Sequence, residues 1–399
     1  MALSGIDAAE TPRVLTGLTE VDRVLGGGLV QGSVVLLGGE PGIGKSTLLL
    51  QVAARLAAAG GPVLYVSAEE SAKQIKMRAD RLGASSAGVF LLPETSVDRI
   101  LEAAASARYS AVVIDSIQTI ASPEGVSGAG SVSQVRECAA RLTVFAKTTG
   151  VPVVLIGHVT KDGSLAGPKT LEHLVDAVLS FEGERFHAHR VIRALKNRFG
   201  PVHELGVFEM TGAGLVEVRN PSSIFLGNRT TSRPGAAVLA GVEGTRPLLV
   251  EVQALTVVSK FGTPRRTAIG FDATRLALLL AVLERHGGLS LSGHDVFVNL
   301  AGGAESEEPA ADLAVVAAVA GSYRNRALPQ ETALFGEVGL LGEVRAVTDA
   351  AIRMKEVLSL GFKRVVLPAG NAPEAAAFPD LEVHPVKSVE ELLVETARG

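Results

Sequence analysis

Short apolar runs and longer amphipathic stretches alternate through the first half of this chain. The apolar runs are rich in Val, Leu and Ile, which is typical of strands buried on both faces of a sheet. They lie at residues 34–37, 63–66, 89–92, 111–114 and 153–156. The stretches between them predict helices from Thr47 to about residue 60 and over 71–82, 96–108 and 132–148. This alternation predicts a mostly parallel sheet covered by helices, whose ligands gather at the carboxyl ends of the strands.

The pattern changes after residue 177. Alternating segments at 190–195 and 205–210 predict antiparallel strands that close the first sheet. Residues 219–236 are rich in Asn, Pro, Ser, Thr and Arg and predict a linker. A separate α/β unit is predicted beyond it, with strands near 237–241, 248–257, 296–300, 333–345 and 364–367 and helices at 273–286, 309–322 and 348–360. We therefore predict two domains, 1–219 and 220–399.

A glycine-rich loop joins the first predicted strand to the first long helix. It comprises Gly39, Glu40, Pro41, Gly42, Ile43, Gly44, Lys45, Ser46 and Thr47. The GxxxxGK[ST] pattern between a strand and a helix predicts a phosphate site, because the glycines let backbone N–H groups turn inward around a polyphosphate. We expect Lys45 to reach the β- and γ-phosphates of ATP and Ser46 to bind Mg²⁺.

Three polar side chains follow the ends of predicted strands. Glu69 follows the second apolar run, and a carboxylate at that place is suited to activating water. The alternative is that the glutamates cap the helix starting at Ser71, and capping is plausible for either Glu69 or Glu70. Asp115 ends the fourth run in a Walker B pattern and predicts a second ligand for Mg²⁺. His158 follows the fifth run.

Composition narrows the class of protein without identifying a substrate. The chain has 399 residues, 20% charged and 47% hydrophobic, which predicts a globular protein of two or three domains. Its net charge of −4 means that any DNA site must be a local basic patch. The single cysteine, Cys138, excludes a disulfide framework and a cysteine-rich zinc site. No signal peptide is expected and no apolar run approaches the ~20 residues that span a membrane, so we expect a cytoplasmic protein.

Several motifs together resemble the RadA/Sms family, the bacterial DNA-recombination ATPases of the RecA/DnaB superfamily. Besides the glycine loop they are DRVLGGG at 22–28, VSAEES at 66–71, VVIDSIQT at 112–119, GHVTKDGSLAGP at 157–168 and KNRFG at 196–200. The last is the family's own signature and the most specific of them. This family usually begins with a four-cysteine zinc finger, so either the chain begins after that finger or it is a fingerless relative.

The resemblance implies a ring, with a hexamer expected and ATP bound between subunits. Lys196 and Arg198 would then act in trans on the γ-phosphate of a neighbour's ATP, rather than lie in a solvated hairpin turn. His158 would sense the γ-phosphate. The loops at 121–131 and 160–170 would face DNA, with Lys161 and Lys169 as contacts. The implied partners are single-stranded and branched DNA and a RecA-type recombinase.

The C-terminal half resembles the proteolytic domain of Lon, which cleaves peptides with a serine and a lysine. Ala310 stands at the serine position and Ala351 at the lysine position. We therefore expect a scaffold for the ring and for DNA rather than a protease. Lys260, Arg265 and Arg266 either contact DNA phosphates or belong to an ordinary solvated loop.

The function expected from the whole chain is that of a DNA-dependent ATPase and ring helicase. It would translocate along single-stranded DNA and promote branch migration in recombinational repair, using ATP and Mg²⁺. Two alternatives belong to other classes, namely an ATP-dependent Lon-like protease and a KaiC-like signalling ATPase or autokinase.

Overall fold

The structure, a computed structural model, describes residues 12–123, 128–158, 168–183, 188–226, 233–260 and 262–396, without the side chains of Pro168 and Lys169. The chain divides into two compact units, residues 1–218 and residues 219–399. Strands and helices alternate through most of both units, which confirms the predicted α/β class.

The first unit is built on one large sheet. Its strands are β3 (Val34–Gly39), β4 (Val63–Ser67), β5 (Val89–Pro93), β6 (Ala111–Asp115), β7 (Val153–His158), β8 (Ala177–Glu182), β9 (His189–Asn197), β10 (Leu205–Thr211) and β11 (Gly214–Glu217). Within the described residues they form a nine-stranded sheet in the order β11-β10-β9-β8-β3-β7-β6-β4-β5. The strands from β8 to β5 in this order are parallel, and β9, β10 and β11 are antiparallel. A short antiparallel pair of strands, β1 (Arg13–Val14) and β2 (Leu29–Val30), precedes the strands of this sheet in the sequence.

Apart from α1, which lies between β1 and β2, the helices of this unit lie between the parallel strands in sequence. They are α1 (Thr19–Val24), α2 (Lys45–Ala58), α3 (Ala72–Arg81), α4 (Val97–Ala105), α5 (Val132–Thr149) and α6 (Pro168–Leu171). The predicted helices correspond to α2, α3, α4 and α5, with ends that differ by a few residues. The loop predicted at 160–170 ends earlier than expected, because α6 begins at residue 168. Residues 159–167 lie outside the described part. The loop predicted at 121–131 is likewise described only in part, since residues 124–127 are outside it.

Alternation along β3 explains why the sheet is covered on both faces. Val35 and Leu37 belong to the apolar cluster that includes α2, whereas Val34 and Leu36 belong to the cluster that includes α5. Successive side chains of a strand point to opposite faces, so an uninterrupted apolar run requires a helix layer on each side. All four side chains are at most 3% exposed.

A mixed sheet forms the centre of the second unit. Its strands are β12 (Ala236–Glu243), β13 (Arg246–Val258), β14 (Arg266–Ile269), β15 (His294–Leu300), β16 (Thr332–Leu334), β19 (Arg364–Pro368) and β20 (Glu382–Val386). Their order in the described residues is β14-β15-β13-β12-β16-β19-β20, and β17 (Glu337–Val338) forms a hairpin with β18 (Val344–Arg345). The helices are α7 (Ser222–Phe225), α8 (Ala273–Arg285), α9 (Asp312–Tyr323), α10 (Ala350–Ser359) and α11 (Val389–Glu395).

Several elements of the two units differ from the sequence prediction. The predicted linker at 219–236 is not irregular throughout, because it contains α7, whose Ser222 and Phe225 are buried. Arg266 opens β14 rather than lying in a loop. The sequence prediction also omitted β8, β20 and α11. Among the described residues, no helix combines the length and apolar character needed to cross a membrane.

A buried ion pair lies beside the Ala310 position in the second unit. The Arg353 guanidinium donates to Glu308 Oε2 at 2.7 Å and to Oε1 at 3.1 Å, and it also donates to the carbonyl oxygen of Ala240 at 2.8 Å. The backbone N–H of Val242 donates to Glu308 Oε1 at 2.9 Å. Arg353 is 2% exposed, so this network must satisfy its polar groups internally.

We expect Arg353→Met to destabilise the second unit by about 3 kcal/mol, because it leaves the Glu308 carboxylate without its cation. Urea unfolding of the full chain, followed by circular dichroism, measures the loss. Nucleotide binding by the first unit is the internal control. The double variant Glu308→Leu with Arg353→Met should recover most of the stability, since both charges are then absent. An equal or larger loss in the double variant would contradict this account.

Candidate active site

The glycine loop leaves β3 at Gly39 and turns into α2, which begins at Lys45. Gly44 is the residue before α2 and has φ 118°, and Gly42 has φ 80°, conformations that side chains other than glycine rarely adopt. No side chain caps the first turn of α2. Arg190 holds the loop from β9, because its Nε donates to the carbonyl oxygen of Ile43 at 3.2 Å. The loop therefore presents a helix N-terminus suited to an anion.

Lys45 lies inside this loop. Its ammonium group donates to the carbonyl oxygens of Gly39 at 2.8 Å and Glu40 at 2.9 Å, and the residue is only 4% exposed. Burial lowers the pKa of Lys45 to about 8, although Asp115 and Glu69 oppose that shift. The ammonium group can therefore exchange two loop carbonyls for phosphate oxygens without leaving the loop.

Ser46 and Asp115 lie together at the ends of α2 and β6. The Ser46 hydroxyl lies close enough to the Asp115 carboxylate to lower its pKa. Tyr65, which is fully buried in β4, donates its hydroxyl to Asp115 Oδ2 at 2.7 Å. Burial raises the pKa of Asp115, and the hydroxyl groups of Tyr65 and Ser46 oppose that rise. Asp115 is thus a buried carboxylate with two hydroxyl groups near it.

These residues fit Mg²⁺ and a nucleoside triphosphate. Mg²⁺ prefers oxygen ligands and few protein groups, and a hydroxyl close to a carboxylate provides such a pair. Ser46 and Asp115 would hold the ion, and the N–H groups of the loop with Lys45 would hold the phosphates. An added Cβ at Gly42 would meet no atom within 4 Å, so the loop is open on that side.

Glu69 occupies the same edge of the sheet. Ser116 donates its hydroxyl to Glu69 Oε1, and His158 Nε2 lies 3.2 Å from the same oxygen. The hydrogen bond from His158 is the largest influence that lowers the pKa of Glu69. Oε2 has no hydrogen-bond partner among the described residues, so an ionised carboxylate oxygen is free to accept from water.

The capping alternative for the two glutamates is not what forms at α3. Ser71 caps that helix itself, and with Gln74 it makes a capping box. Glu70 instead pairs with Arg78 at 2.6 Å. Glu69 therefore has no role in starting the helix.

Lys196 and Arg198 lie away from this cluster. The β3–β8 pairing places Phe181 beside Gly39 and Ala177 beside Val35, and Ala177 is opposite Asn197. Arg198 follows Asn197, so its turn lies level with Val34 at the start of β3. Five residue steps separate Val34 from Gly39, so at ~3.3 Å per strand residue the turn is about 16 Å from the glycine loop. An arginine side chain does not span that distance. Within one subunit, the length of the sheet therefore separates Lys196 and Arg198 from the glycine loop.

Lys196 is bonded to main-chain oxygens. Its ammonium group donates to the carbonyl oxygens of Glu172 at 2.5 Å and Val175 at 2.9 Å. Burial, and then the neighbouring Arg198, lower the pKa of Lys196. Lys196 lies in β9, one residue before the strand ends at Asn197, rather than in a free turn.

The predicted DNA-binding residues are distributed over both units. Lys161 lies outside the described residues, and Lys169 is placed in α6 without its side chain. Lys260 and Arg265 are exposed in the second unit. Arg266 donates to the carbonyl oxygen of Leu291 at 3.3 Å, so its guanidinium is partly engaged.

The two positions that correspond to the serine and lysine of the Lon proteolytic domain are both alanine in this chain. Ala310 is 2% exposed in the turn of 3₁₀-helix Pro309–Ala311, and Ala351 is exposed in α10. Within the described part of the chain, no group of three or more His, Cys, Asp or Glu side chains could hold a metal ion.

Sequence patterns did not identify three residues that contact the site. Tyr65 and Ser116 hold the two carboxylates, and Arg190 holds the glycine loop. Tyr65 offered one signal, because a hydroxyl within an apolar strand needs a partner. The contacts of Ser116 and Arg190 depend on strands that are distant in sequence.

Comparison with known proteins places this architecture in a family. Residues 5–164 match the family profile of an AAA domain, and residues 287–398 match that of the Lon protease C-terminal proteolytic domain. The DNA repair protein RadA of Bacillus subtilis is 51% identical over 397 residues, which cover 100% of this chain and 87% of that protein. The chain belongs to the RadA family.

Other RadA-family members are similarly close to this chain. The DNA repair protein RadA of Brucella abortus is 52% identical over 93% of this chain and 80% of its own length. That of Escherichia coli is 50% identical over 98% of this chain and 85% of its own. A solved structure of a KaiC-like protein from Pyrococcus horikoshii aligns over 52% of this chain and 99% of that one, at 23% identity and a TM-score of 0.44.

We expect Tyr65→Phe to raise the Mg²⁺ concentration needed for ATP binding by about tenfold, because groups that orient a metal ligand contribute 10–100-fold to affinity. A fluorescent ATP analogue titrated with Mg²⁺ measures this shift, and binding without Mg²⁺ should not change. Tyr109→Phe is the matched control, since Tyr109 packs edge-to-face against Phe90, with ring centroids 5.9 Å apart, and against the apolar cluster that includes α5. Equal Mg²⁺ dependence in both variants would show that Tyr65 does not position Asp115.

Proposed function

We propose that this chain is a DNA-dependent ATPase that works as a ring, translocates on single-stranded DNA and promotes branch migration in recombinational repair. The observation that carries the proposal is the meeting of Lys45, Ser46, Asp115 and Glu69 at one edge of the first sheet. That set contains the groups needed to bind a triphosphate, hold Mg²⁺ and activate water.

Each residue of this set has a defined task in hydrolysis. Lys45 would bind the terminal phosphates, and Ser46 and Asp115 would hold Mg²⁺, whose charge would stabilise the phosphate oxygens. Glu69 accepts a proton from the attacking water through the oxygen that His158 and Ser116 leave free. His158 lies beside this base and can report the state of the γ-phosphate by keeping or breaking its hydrogen bond to Glu69.

Arg198 completes the site of a neighbouring subunit. Its position at the far end of β3 supports action in trans, because it does not reach the glycine loop of its own subunit. A guanidinium offered across an interface stabilises the negative charge of the transition state. Lys196 is the second cation of the same turn. A closed ring, with a hexamer as the expected size, provides each ATP with such a neighbour.

The role in DNA repair comes from the relatives. The similar proteins of Bacillus subtilis and Escherichia coli are named DNA repair proteins. We propose Lys161 and Lys169 as DNA contacts of the first unit, and Lys260, Arg265 and Arg266 as contacts of the second. The proposed partners are single-stranded and branched DNA and a RecA-type recombinase, and the proposed location is the cytoplasm.

Two other classes of function fit the site less well. A Lon-like protease would need a nucleophile and a base where Ala310 and Ala351 stand. A KaiC-like autokinase would retain phosphate on the protein after turnover, and the KNRFG signature at 196–200 disfavours it.

We expect single-stranded DNA to raise the ATPase rate of the purified protein several-fold. A coupled phosphate-release assay with and without DNA measures this. Glu69→Gln is the matched control, since it keeps the size of the side chain and the nucleotide site but removes the base, so both rates should fall. If the protein binds single-stranded DNA and its ATPase rate does not change, ATP hydrolysis is not coupled to DNA binding, and that part of the proposal is wrong.

Mixed rings test whether Arg198 acts in trans. Arg198→Ala should bind ATP but hydrolyse it ~10³-fold more slowly, as expected for loss of an arginine finger. Lys45→Ala should be inactive because it lacks the phosphate-binding charge. When the two variants are mixed, ATPase activity should return at interfaces that pair the intact loop of one with the intact Arg198 of the other.

Titration of the wild-type protein with Lys45→Ala separates the explanations if no activity returns. A steep loss at a low fraction of the variant means that hydrolysis requires every site in the ring. A proportional loss means that Arg198 acts within its own subunit, which contradicts the proposal.

A further inference from the structure

Arg198 is attached to one buried carboxylate. The Arg198 backbone N–H donates to the carbonyl oxygen of Asp176 at 3.1 Å, and Nη1 lies 3.4 Å from Asp176 Oδ1. The Arg198 side chain is 54% exposed, whereas that of Asp176 is 3% exposed. Among the described residues, Nη1 is the one guanidinium nitrogen with a hydrogen-bond partner. The guanidinium is thus held through one nitrogen, and its other donors face solvent.

Asp176 is itself fixed by the core of the sheet. Its Oδ2 accepts from the backbone N–H of Val34 at 2.9 Å and from Lys147 Nζ at 2.7 Å. Its backbone N–H also donates to the carbonyl oxygen of Val34 at 2.9 Å. A carboxylate this buried is stable only with such partners. Asp176 therefore cannot move without disturbing the start of β3.

The turn around Arg198 is anchored at further points. Phe199 receives Lys147 on its ring at 5.8 Å, and its carbonyl oxygen accepts from Arg13 Nη2 at 2.7 Å. Asn197 Oδ1 accepts from the Phe199 backbone N–H at 2.9 Å. Since the backbone of the turn is fixed on both sides of Arg198, the orientation of its guanidinium depends on Asp176.

We propose that Asp176 is a positioning residue that aims Arg198 at the ATP site of the neighbouring subunit. This inference rests on the proposed trans action of Arg198. Attachment through Nη1 fixes the direction of the planar guanidinium and leaves its other two nitrogens for phosphate oxygens. Without it, an exposed arginine samples many rotamers, and the donor is correctly placed for a smaller fraction of the time.

Asp176→Asn removes this function selectively. An asparagine fits the same space, and its oxygen can still accept from Val34. Its amide NH₂ then faces Arg198, where a donor meets a donor and the attachment is lost. Asp98→Asn is the matched control, because it makes the same exchange at a carboxylate of the first unit that pairs with Arg141 instead of Arg198.

We expect Asp176→Asn to bind a fluorescent ATP analogue normally and to lose about tenfold to hundredfold in ATPase rate, as misplaced catalytic groups do. Asp98→Asn should retain most of its activity. The double variant Asp176→Asn with Arg198→Ala should be no slower than Arg198→Ala alone, because Asp176 acts only through Arg198.

Mixing with Lys45→Ala distinguishes positioning from a structural role. If Asp176 acts through Arg198, Asp176→Asn subunits should recover activity beside Lys45→Ala, as Arg198→Ala subunits do. Recovery by Arg198→Ala but not by Asp176→Asn would mean that Asp176 supports its own glycine loop, which overturns the inference alone. A normal or raised ATPase rate in Asp176→Asn also overturns it. If Arg198→Ala shows no trans action, the proposed function fails and this inference fails with it.

Discussion

The parallel pairing of β3, β7, β6 and β4 is the constraint on which the site depends. Gly39 is paired with His158, and Ser67 is paired with Asp115. Because parallel strands of similar length end together, each strand delivers its polar residue to the same edge of the sheet. The apolar runs that make these strands also bury them on both faces, so the edge is rigid. The candidate catalytic groups are therefore held in place by the burial of apolar residues that take no part in the proposed reaction.

The two ends of β3 carry different halves of the proposed reaction. One end leads into the glycine loop, and the other is bonded to Asp176 and through it to Arg198. In the ring that we propose, β3 would therefore connect the glycine loop of one subunit with the arginine that acts on the ATP of its neighbour.

The second unit keeps a Lon-like sequence pattern and has other side chains where the protease groups are expected. Ala310 is buried, and the neighbouring Glu308 forms a bidentate pair with Arg353. A buried pair of this kind costs desolvation and is retained only where its other hydrogen bonds are also made, as they are to Ala240 and Val242. A network that fills this region with stable contacts suits a scaffold.

Local sequence patterns were enough to predict β3, β4, β5, β6 and β7 of the first unit and the glycine loop, and to select Lys45, Ser46, Glu69 and Asp115 as candidate site residues. Those features are local, since an apolar run, a glycine pattern and a carboxylate after a strand are visible within a few residues. The α/β class followed from the same alternation. The family resemblance added Lys196, Arg198 and His158 and their expected roles.

Tertiary structure alone decided which residues hold these groups. Tyr65 reaches Asp115 because β4 pairs with β6, and Asp176 reaches Arg198 because β8 pairs with β9. Tyr65 and Asp115 are 50 positions apart in the chain, and Asp176 and Arg198 are 22 apart. The hydroxyl of Tyr65 signals only that it needs some partner, and nothing local distinguishes Asp176 from an ordinary residue before a strand. Strand order and register bring them together, and both are set by the packing of the whole sheet, which no short segment of sequence contains.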